Sequence, residues 1–365
     1  MKIVVVYATA GAGHKKAARC IADHIGASAH VECRDIIDGS SWLFRLVYLR
    51  GYDFLVNHCQ WAWSVLFCLT NRAASLPAAA SLRSTLHYFN TRRFCCFLIE
   101  ARPDVVVSTH FLSSDVVSYL KAKGMLRCRL VTVVTDFGVH PFWICAATDV
   151  YCCASAATAR MLADRGVGPE KIRVTGIPVE PKFSQAHDVS AIRRRLGISP
   201  GMKAVLIMTG SFGIGPIEDM TRRLCREYAV LAVCARNRRL YARMKARAYP
   251  HACVFGFVDF IDELMAAADV IITKPGGLTI SELLCMECAP LFIAAIPGQE
   301  TANASILGSA GIGKGVSQTR LIKEQVDECI RDADRIRKSI LDFRQISAAA
   351  HIYDILRTNS PGCPG

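Results

Sequence analysis

Two stretches of this 365-residue sequence carry residue types and spacings suited to chemistry. In one, the apolar run Val270-Ile271-Ile272 ends in Pro275-Gly276-Gly277, and a helical pattern opens at Leu278 or Thr279. Strand, tight turn and helix start follow in that order. Glycine has no Cβ, so the turn can take unusual dihedrals and let a ligand approach closely, while the free amides of the next helix point at it. Such a helix start binds anions, phosphate above all. Glu282 lies about one turn further on, where a carboxylate can accept hydrogen bonds from the vicinal hydroxyls of a ribose. A second apolar strand, expected over Leu291 to Ile296, runs into Pro297-Gly298-Gln299-Glu300, which sets an amide beside a carboxylate. Together these residues suit a nucleoside diphosphate on the glycines, a ribose on Glu282 and a polar sugar near Gln299 and Glu300. An ordinary βα unit would also contain a Pro-Gly-Gly turn, so that turn alone decides nothing.

The other stretch opens the chain. Residues 2–8 read as a buried parallel strand, followed by Thr9-Ala10-Gly11-Ala12-Gly13-His14 and a helix to about Ile25. The dipole of a helix start lowers the pKa of a neighbouring imidazole, which suits His14 to act as general base toward an alcohol. A histidine capping the helix would look the same. The Gly-x-Gly also resembles the start of a dinucleotide fold, but the third glycine is missing and only Asp35 imitates the acid that should end the second strand. Further on, the strand Asp104 to Ser108 ends at Thr109-His110, a helix is expected from Ser114, and the strand Leu130 to Val134 ends at Thr135-Asp136 with His140 beyond. Binding groups in open parallel sheets gather at the C-terminal ends of strands, so His110, Asp136 and His140 fall where a site should be. Asp136 is a second candidate base, or a cap on the turn that follows it.

These motifs resemble the inverting glycosyltransferases that include monogalactosyldiacylglycerol synthases, processive diacylglycerol glucosyltransferases and the N-acetylglucosaminyltransferase of peptidoglycan lipid intermediates. That family's Gly-rich turn, S/A-E and P-G-Q-E followed by Asn are matched by Pro275-Gly276-Gly277, Ser281-Glu282, Pro297 to Glu300 and Asn303. The PGQE form favours the diacylglycerol branch. Its G-x-G-H-x-x-A-A loop, with a histidine implicated in catalysis, is matched by Gly11, Gly13, His14, Ala17 and Ala18. Its acceptor-side T-D-x-x-x-H-x-x-W is matched by Thr135, Asp136, His140 and Trp143. Two departures stand out. Some relatives have an acid where this chain has Thr9 or Ala10, and Ser211 replaces a glycine in the loop Gly210-Ser211-Phe212-Gly213.

The resemblance implies an α/β protein of GT-B type, with two facing Rossmann-like domains and a cleft between them. The expected boundaries are 1–178 for an acceptor and membrane-facing domain, 179–345 for a UDP-sugar domain, and 346–365 for a returning helix and disordered tail. The segment from Glu180 to Pro200 has the prolines and polar run of a linker. The implied reaction moves a hexose from UDP-glucose or UDP-galactose to diacylglycerol, with His14 or Asp136 taking the proton. Donor binding falls to Gly210, Ser211, Gly213, Phe257, Val258, Pro275, Gly276, Gly277, Leu278, Thr279, Glu282, Gln299, Glu300 and Asn303, with the Phe257-Val258 backbone reading uracil. Acceptor binding falls to Gly11, Gly13, His110, His140, Trp143, Trp61 and Trp63. The UDP-sugar is a substrate, no other cofactor is implied, and no DxD-like metal site is evident. Rival readings are a polyprenyl diphosphate sugar as acceptor, a catalytically silent nucleotide-sugar-binding protein, and an NAD-dependent oxidoreductase. The hexose, the number of sugars added and the oligomeric state stay open.

Composition bears on partners and compartment. A chain with 52% hydrophobic and 21% charged residues has ample core for two domains. Its net charge of +13 attracts anionic surfaces, and with no nucleic-acid motif present a membrane lipid is the expected partner. Seventeen cysteines would suit disulfides in a secreted protein, but Met1-Lys2 leads straight into a strand, so reduced thiols are expected at the cytoplasmic face of a membrane. No CxxC pattern calls for a structural zinc. Residues 41–71 hold Trp42, Trp61 and Trp63 with Tyr48, Tyr52, Arg45 and Arg50, a mixture suited to a bilayer interface or to a pair of buried helices. Phe54 to Asn71 is free of charge, yet Asn57, His58 and Gln60 argue against a spanning helix. Arg72, Arg83, Arg92 and Arg93 extend the basic character of this region.

Overall fold

The computed structural model describes residues 1–358 except 10, 27–28, 52–54, 56–58, 74–76, 294–295 and 317; the side chains of 49, 60, 72, 73, 77 and 78 also fall outside that description. The tail 359–365, expected to be disordered, lies outside the described residues, as do Tyr52, Asn57, His58 and the Gln60 side chain. The chain forms two units. One comprises Met1–Glu180, Ile296–Gln299 and Gln345–Gly365, the other Pro181–Ala295 and Glu300–Arg344.

The first unit runs β1 (Lys2–Tyr7), α1 (Ala12–Gly26), β2 (His30–Asp35), α2 (Trp42–Leu46), α3 (Gln60–Ala73), α4 (Pro77–Asn90), α5 (Arg92–Ala101), β3 (Val105–Ser108), α6 (Phe111–Ala122), β4 (Arg129–Val133), β5 (Val150–Cys153), α7 (Ala156–Ala163) and β6 (Ile172–Val174). Its strands pair in parallel in the order β2-β1-β3-β4-β5-β6. Parallel strands are covered on both faces, which is why Ile3-Val4-Val5-Val6 is apolar without a break. The pleat then divides the run. Ile3 and Val5 pack with Ile21 and Ile25, whereas Val4 and Val6 pack with Ile36, Leu98, Val116 and Leu120. All are fully buried, each side chain contributing about 1.5–3 kcal/mol.

The second unit runs α8 (Val189–Arg195), β7 (Ala204–Met208), α9 (Ile217–Leu224), β8 (Ala229–Val233), α10 (Arg238–Lys245), β9 (Ala252–Phe255), α11 (Ile261–Ala267), β10 (Val270–Thr273), α12 (Gly277–Cys285), β11 (Ala289–Phe292), α13 (Gln299–Ser309), β12 (Lys314–Gly315), α14 (Ile322–Arg331) and α15 (Ala333–Phe343). Its parallel strands stand in the order β12-β11-β10-β7-β8-β9. The last helix, α16 (Ala348–Thr358), belongs to the first unit, where Ile352 and Leu356 join the core beside Ile21 and Arg129 donates to the Ile355 carbonyl at 2.8 Å.

Both sheets are doubly wound. The chain steps from β1 outward to β2 and then returns to the other side of β1 for β3; in the second unit it steps from β7 to β8 and β9 and returns to β10. In such sheets the loops at the C-terminal ends of the two strands flanking the reversal part and leave a crevice for ligands. The site-bearing loops are therefore β1–α1 with β3–α6, and β7–α9 with β10–α12.

Some boundaries differ from expectation. The strand expected over Leu291 to Ile296 ends at Phe292, because β10 ends opposite Phe292 and β12 offers partners only to Leu291 and Phe292. The helix expected from Ser114 starts at Phe111, capped by the ring of His110. The tryptophan-rich stretch is not a pair of buried helices. No residue of α2 is buried, and Trp42 and Trp61 are 76% and 75% exposed. Among the described residues no helix is long and apolar enough to cross a membrane. Every described cysteine is a free thiol.

Candidate functional site

His14 is the third residue of α1, beside the reversal of the first sheet. Its Nδ1 lies 2.9 Å from the carbonyl oxygen of Thr109, at the end of β3, and 2.8 Å from Oγ1 of Thr135, at the end of β4. A carbonyl only accepts, so Nδ1 carries the ring proton and Nε2 keeps its lone pair. The ring therefore does not cap α1, which removes that alternative. Burial pushes the His14 pKa down to about 4, opposed only in part by the bond to Thr109. Desolvation holds this imidazole in its neutral form.

His110 is locked the other way. It caps α6, its Nδ1 accepting the Leu112 amide at 3.1 Å, so its proton sits on Nε2. It is 2% exposed, and burial first, then the neighbouring His14 and His87, hold its pKa well below the ordinary histidine value. The two rings meet edge to face at 4.5 Å. Trp143, 2% exposed, stands behind them, 6.5 Å from His14 and 6.4 Å from His110, and so forms a wall of this cluster. His140 caps the Pro141–Trp143 turn through Nδ1, and its Nε2 faces Thr70 Oγ1 at 3.5 Å. Burial, aided by Arg83 and Arg165, pushes its pKa down to about 4.

Asp136 is 4% exposed and accepts from the side-chain amide of Gln299, which belongs to the same unit. As a base it would first have to release that amide. The turn carrying Gln299 is held by α3: Trp63 Nε1 donates to the Pro297 carbonyl at 3.1 Å, and a Cβ on Gly298 would fall 2.6 Å from the Phe67 ring. Trp61 stands out from the surface, Gly11 is exposed and Gly13 is half-buried. Asp35 ends β2, as the dinucleotide reading required, but its carboxylate is used locally by Thr9 and the Ile37 amide.

A charged cluster behind the histidines was not legible in the sequence. Asp115 on α6 accepts from Arg83 at 2.9 Å, Ser84 at 2.7 Å and His87 at 2.6 Å, which clamps α4 to the helix that His110 caps. Burial would raise the Asp115 pKa, but His87 and Arg83 outweigh it and hold the carboxyl below its ordinary value. The signal available was one carboxylate in the apolar helix Phe111-Leu-Ser-Ser-Asp-Val-Val.

In the second unit the Pro275-Gly276-Gly277 turn does open α12, with Gly276 as its N-cap. The dihedral expectation fails, since Gly276 has φ −72° and ψ 140°, ordinary extended values. Its value lies in space: a Cβ there would meet nothing within 4 Å, so the approach to the amides of Gly277, Leu278 and Thr279 is open. Asn303 is fully buried and donates to the Pro275 carbonyl at 3.1 Å, so it shapes the turn. Glu282 is 5% exposed, within the second turn of α12. Glu300 is half-buried at the start of α13.

Positive φ falls instead on the β7–α9 loop, at Gly210, Gly213 and Gly215. A Cβ on Gly213 would lie 2.0 Å from the Cys234 carbonyl oxygen, and Asn237 donates to the Gly213 carbonyl at 3.1 Å, so the loop holding Ser211 is tightly seated. Past the ends of β8 and β9, Ala235, Arg236, Arg238, Tyr241, Gly256 and Phe257 line a recess of about 400 Å³. Phe257 is 66% exposed there, with the Arg236 guanidinium 5.8 Å over its ring, and Val258 follows it. Among the described residues no three His, Cys, Asp or Glu side chains are grouped to hold a metal ion.

Comparison with known proteins matches this architecture. Over 98% of the chain and 99% of the other, the structure superposes on MurG of Acinetobacter baumannii with a TM-score of 0.58 at 14% identity, a likeness of fold. Two doubly wound parallel sheets with ligand loops at each reversal define a glycosyltransferase fold of GT-B type. Residues 14–179 match the model of monogalactosyldiacylglycerol (MGDG) synthase, and residues 205–356 that of the glycosyltransferase family 28 C-terminal domain. The processive diacylglycerol β-glucosyltransferase of Bacillus subtilis (strain 168) is 30% identical over 268 residues, 71% of this chain and 70% of that protein. A probable chloroplastic monogalactosyldiacylglycerol synthase 2 of Oryza sativa subsp. japonica is 26% identical over 97% of this chain and 79% of its own length. The chain belongs to the family of monogalactosyldiacylglycerol synthases and processive diacylglycerol glucosyltransferases.

Proposed function

We propose that this protein transfers a hexose from UDP-glucose or UDP-galactose to the free hydroxyl of diacylglycerol, with inversion at the anomeric carbon. The observation that carries the reading is the neutral His14, with Nδ1–H held by Thr109 and an unprotonated Nε2, in the first turn of α1 at the sheet reversal. Nε2 takes the hydroxyl proton as the oxygen attacks C1 of the sugar, and the bond from C1 to the β-phosphate oxygen breaks to release UDP. The open turn at Gly276 and the amides at the start of α12 take the diphosphate, with the loop at Ser211 and Gly213 beside it; a preorganised donor of this kind is worth about 3 kcal/mol in the transition state. Glu282 takes the ribose, the Phe257-Val258 backbone the uracil, and Gln299 and Glu300 the sugar.

The acceptor is presented at a membrane, on its cytoplasmic face. Exposed apolar side chains occur on α2 (Trp42, Leu43, Leu46), α3 (Trp61, Val65, Leu69) and α4 (Leu82, Leu86, Phe89). Between Asp53 and Glu100 the sequence contains no carboxylate, while Arg72, Arg92 and Arg93 lie there, a composition suited to an anionic bilayer; Arg83, expected to extend that basic face, is held by Asp115 instead.

Purified protein incubated with each UDP-sugar and diacylglycerol in anionic vesicles, with and without His14→Ala, tests the reading. A glycosyl-diacylglycerol that disappears in the variant supports it. Donor binding without any glycolipid points instead to a polyprenyl-linked acceptor or a silent binding protein.

A further inference from the structure

The Thr135 hydroxyl is 2.8 Å from His14 Nδ1 and 3.4 Å from the Thr109 carbonyl oxygen that shares that nitrogen, and Thr135 is 5% exposed. The proton bookkeeping allows one arrangement. If Thr135 donated to Nδ1, the nitrogen would present a lone pair to the Thr109 carbonyl oxygen at 2.9 Å, which is repulsive. Nδ1–H is therefore shared between two acceptors, and the Thr135 proton turns to the Thr109 carbonyl. A single acceptor leaves an imidazole free to pivot about the N–H···O line; a second one off that line fixes the ring plane. Thr109 supplies the backbone counterpart, its hydroxyl donating to the His14 carbonyl at 3.0 Å.

We propose that Thr135 is a positioning residue for His14: its hydroxyl, a second acceptor for Nδ1–H beside the Thr109 carbonyl, fixes the plane of the imidazole, so that the unprotonated Nε2 faces the acceptor hydroxyl. This rests on the reading of His14 as the base, and extends it to a residue just past β4 whose hydroxyl is engaged by His14 and the Thr109 carbonyl. Its neighbour Asp136 is occupied by Gln299, so the two residues of this Thr-Asp pair serve different partners.

The test compares Thr135→Val, Thr135→Ser and His14→Ala in the full-length protein, by kcat, KM for each substrate and the ¹⁵N resonances of the His14 ring. Thr135→Val should lower kcat about tenfold, the worth of one hydrogen bond, with both KM values within about twofold. Thr135→Ser, which keeps the hydroxyl, should recover most of the loss. The His14 Nδ1 resonance should shift in Thr135→Val, which removes one of its two acceptors, and return in Thr135→Ser, while Nε2 keeps its lone pair in the parent and in both threonine variants. A Thr135→Val enzyme with kcat within twofold of the parent, while His14→Ala is inactive, overturns the positioning role alone. So does a lower kcat with unchanged ring resonances, or a serine variant that fails to recover. An active His14→Ala overturns the base reading, and the positioning role with it.

Discussion

The rings of His14 and His110 meet edge to face 4.5 Å apart, each locked in the tautomer the other lacks. One is fixed by a carbonyl, the other by an amide, and both backbone groups belong to the turn from β3 into α6. A single short segment, Thr109 to Leu112, thus sets the proton of two neighbouring imidazoles. Neither ring has to titrate to be ready at neutral pH.

Stability should therefore fall on the acid side. In the unfolded chain histidine takes its proton below about 6.5, whereas folded His14 and His140 wait until about 4. The unfolded state binds more protons between those values, so stability rises with pH, is fully present above about 6.5 and is lost as pH falls toward 4. Partial access of solvent to both rings limits the effect to the order of a few kcal/mol in total. Urea midpoints at pH 7 and pH 5 would measure it, and His140→Asn should shrink the difference; equal midpoints would refute the account.

Two glycines should separate folding from binding. Gly213→Ala forces a methyl to 2.0 Å from the Cys234 carbonyl at φ +60°, and should cost about 2 kcal/mol or more by denaturant unfolding. Gly276→Ala meets nothing and has an ordinary φ, so its melting temperature should hold while KM for the UDP-sugar rises about tenfold. A Gly276→Ala enzyme with an unaltered KM would remove the diphosphate from that turn.

Asp115→Ala should be among the most damaging changes outside the site. It strands Arg83, whose side chain is 14% exposed, and His87 beside it, and breaking a buried pair from one side costs about 3–5 kcal/mol. Thermal unfolding would show the loss, and a drop in melting temperature of only a degree or two would mean that the clamp between α4 and α6 contributes little.

Leu82, Leu86 and Phe89 follow the i, i+4, i+7 spacing of one helical face and are 62%, 52% and 59% exposed. Changing Leu86 and Phe89 to Glu should leave the melting temperature in place and abolish co-sedimentation with anionic vesicles. Unchanged sedimentation would release α4 from the membrane contact and leave the tryptophans of α2 and α3 to make it.

What the sequence made legible was what one stretch of chain decides alone. Buried parallel strands need unbroken β-branched runs, so Ile3 to Val6 and Val270 to Ile272 announced themselves, and glycines followed by helical spacing marked the loops at the two reversals. Contacts between distant stretches were hidden. Thr109 and Thr135 reach His14 across 95 and 121 positions, and nothing in either threonine's surroundings tells which ring it will meet. Arg83, grouped with three other arginines as basic character of its region, is instead bound by Asp115, which α6 brings to it across 32 positions. Asn303, matched to a donor-site motif, serves the backbone of the turn through a contact 28 positions away. Strand and loop are local properties, but the proton a histidine carries is decided by tertiary neighbours.

The carboxylate-free run between Asp53 and Glu100 has a consequence for how attachment to a bilayer can be controlled. Three of its four arginines, Arg72, Arg92 and Arg93, have no carboxylate within the run, while the fourth, Arg83, is held by Asp115. Its grip on a membrane should weaken as ionic strength rises and strengthen with the proportion of anionic lipid. The lipid composition of the membrane would then decide how much of the enzyme is at work.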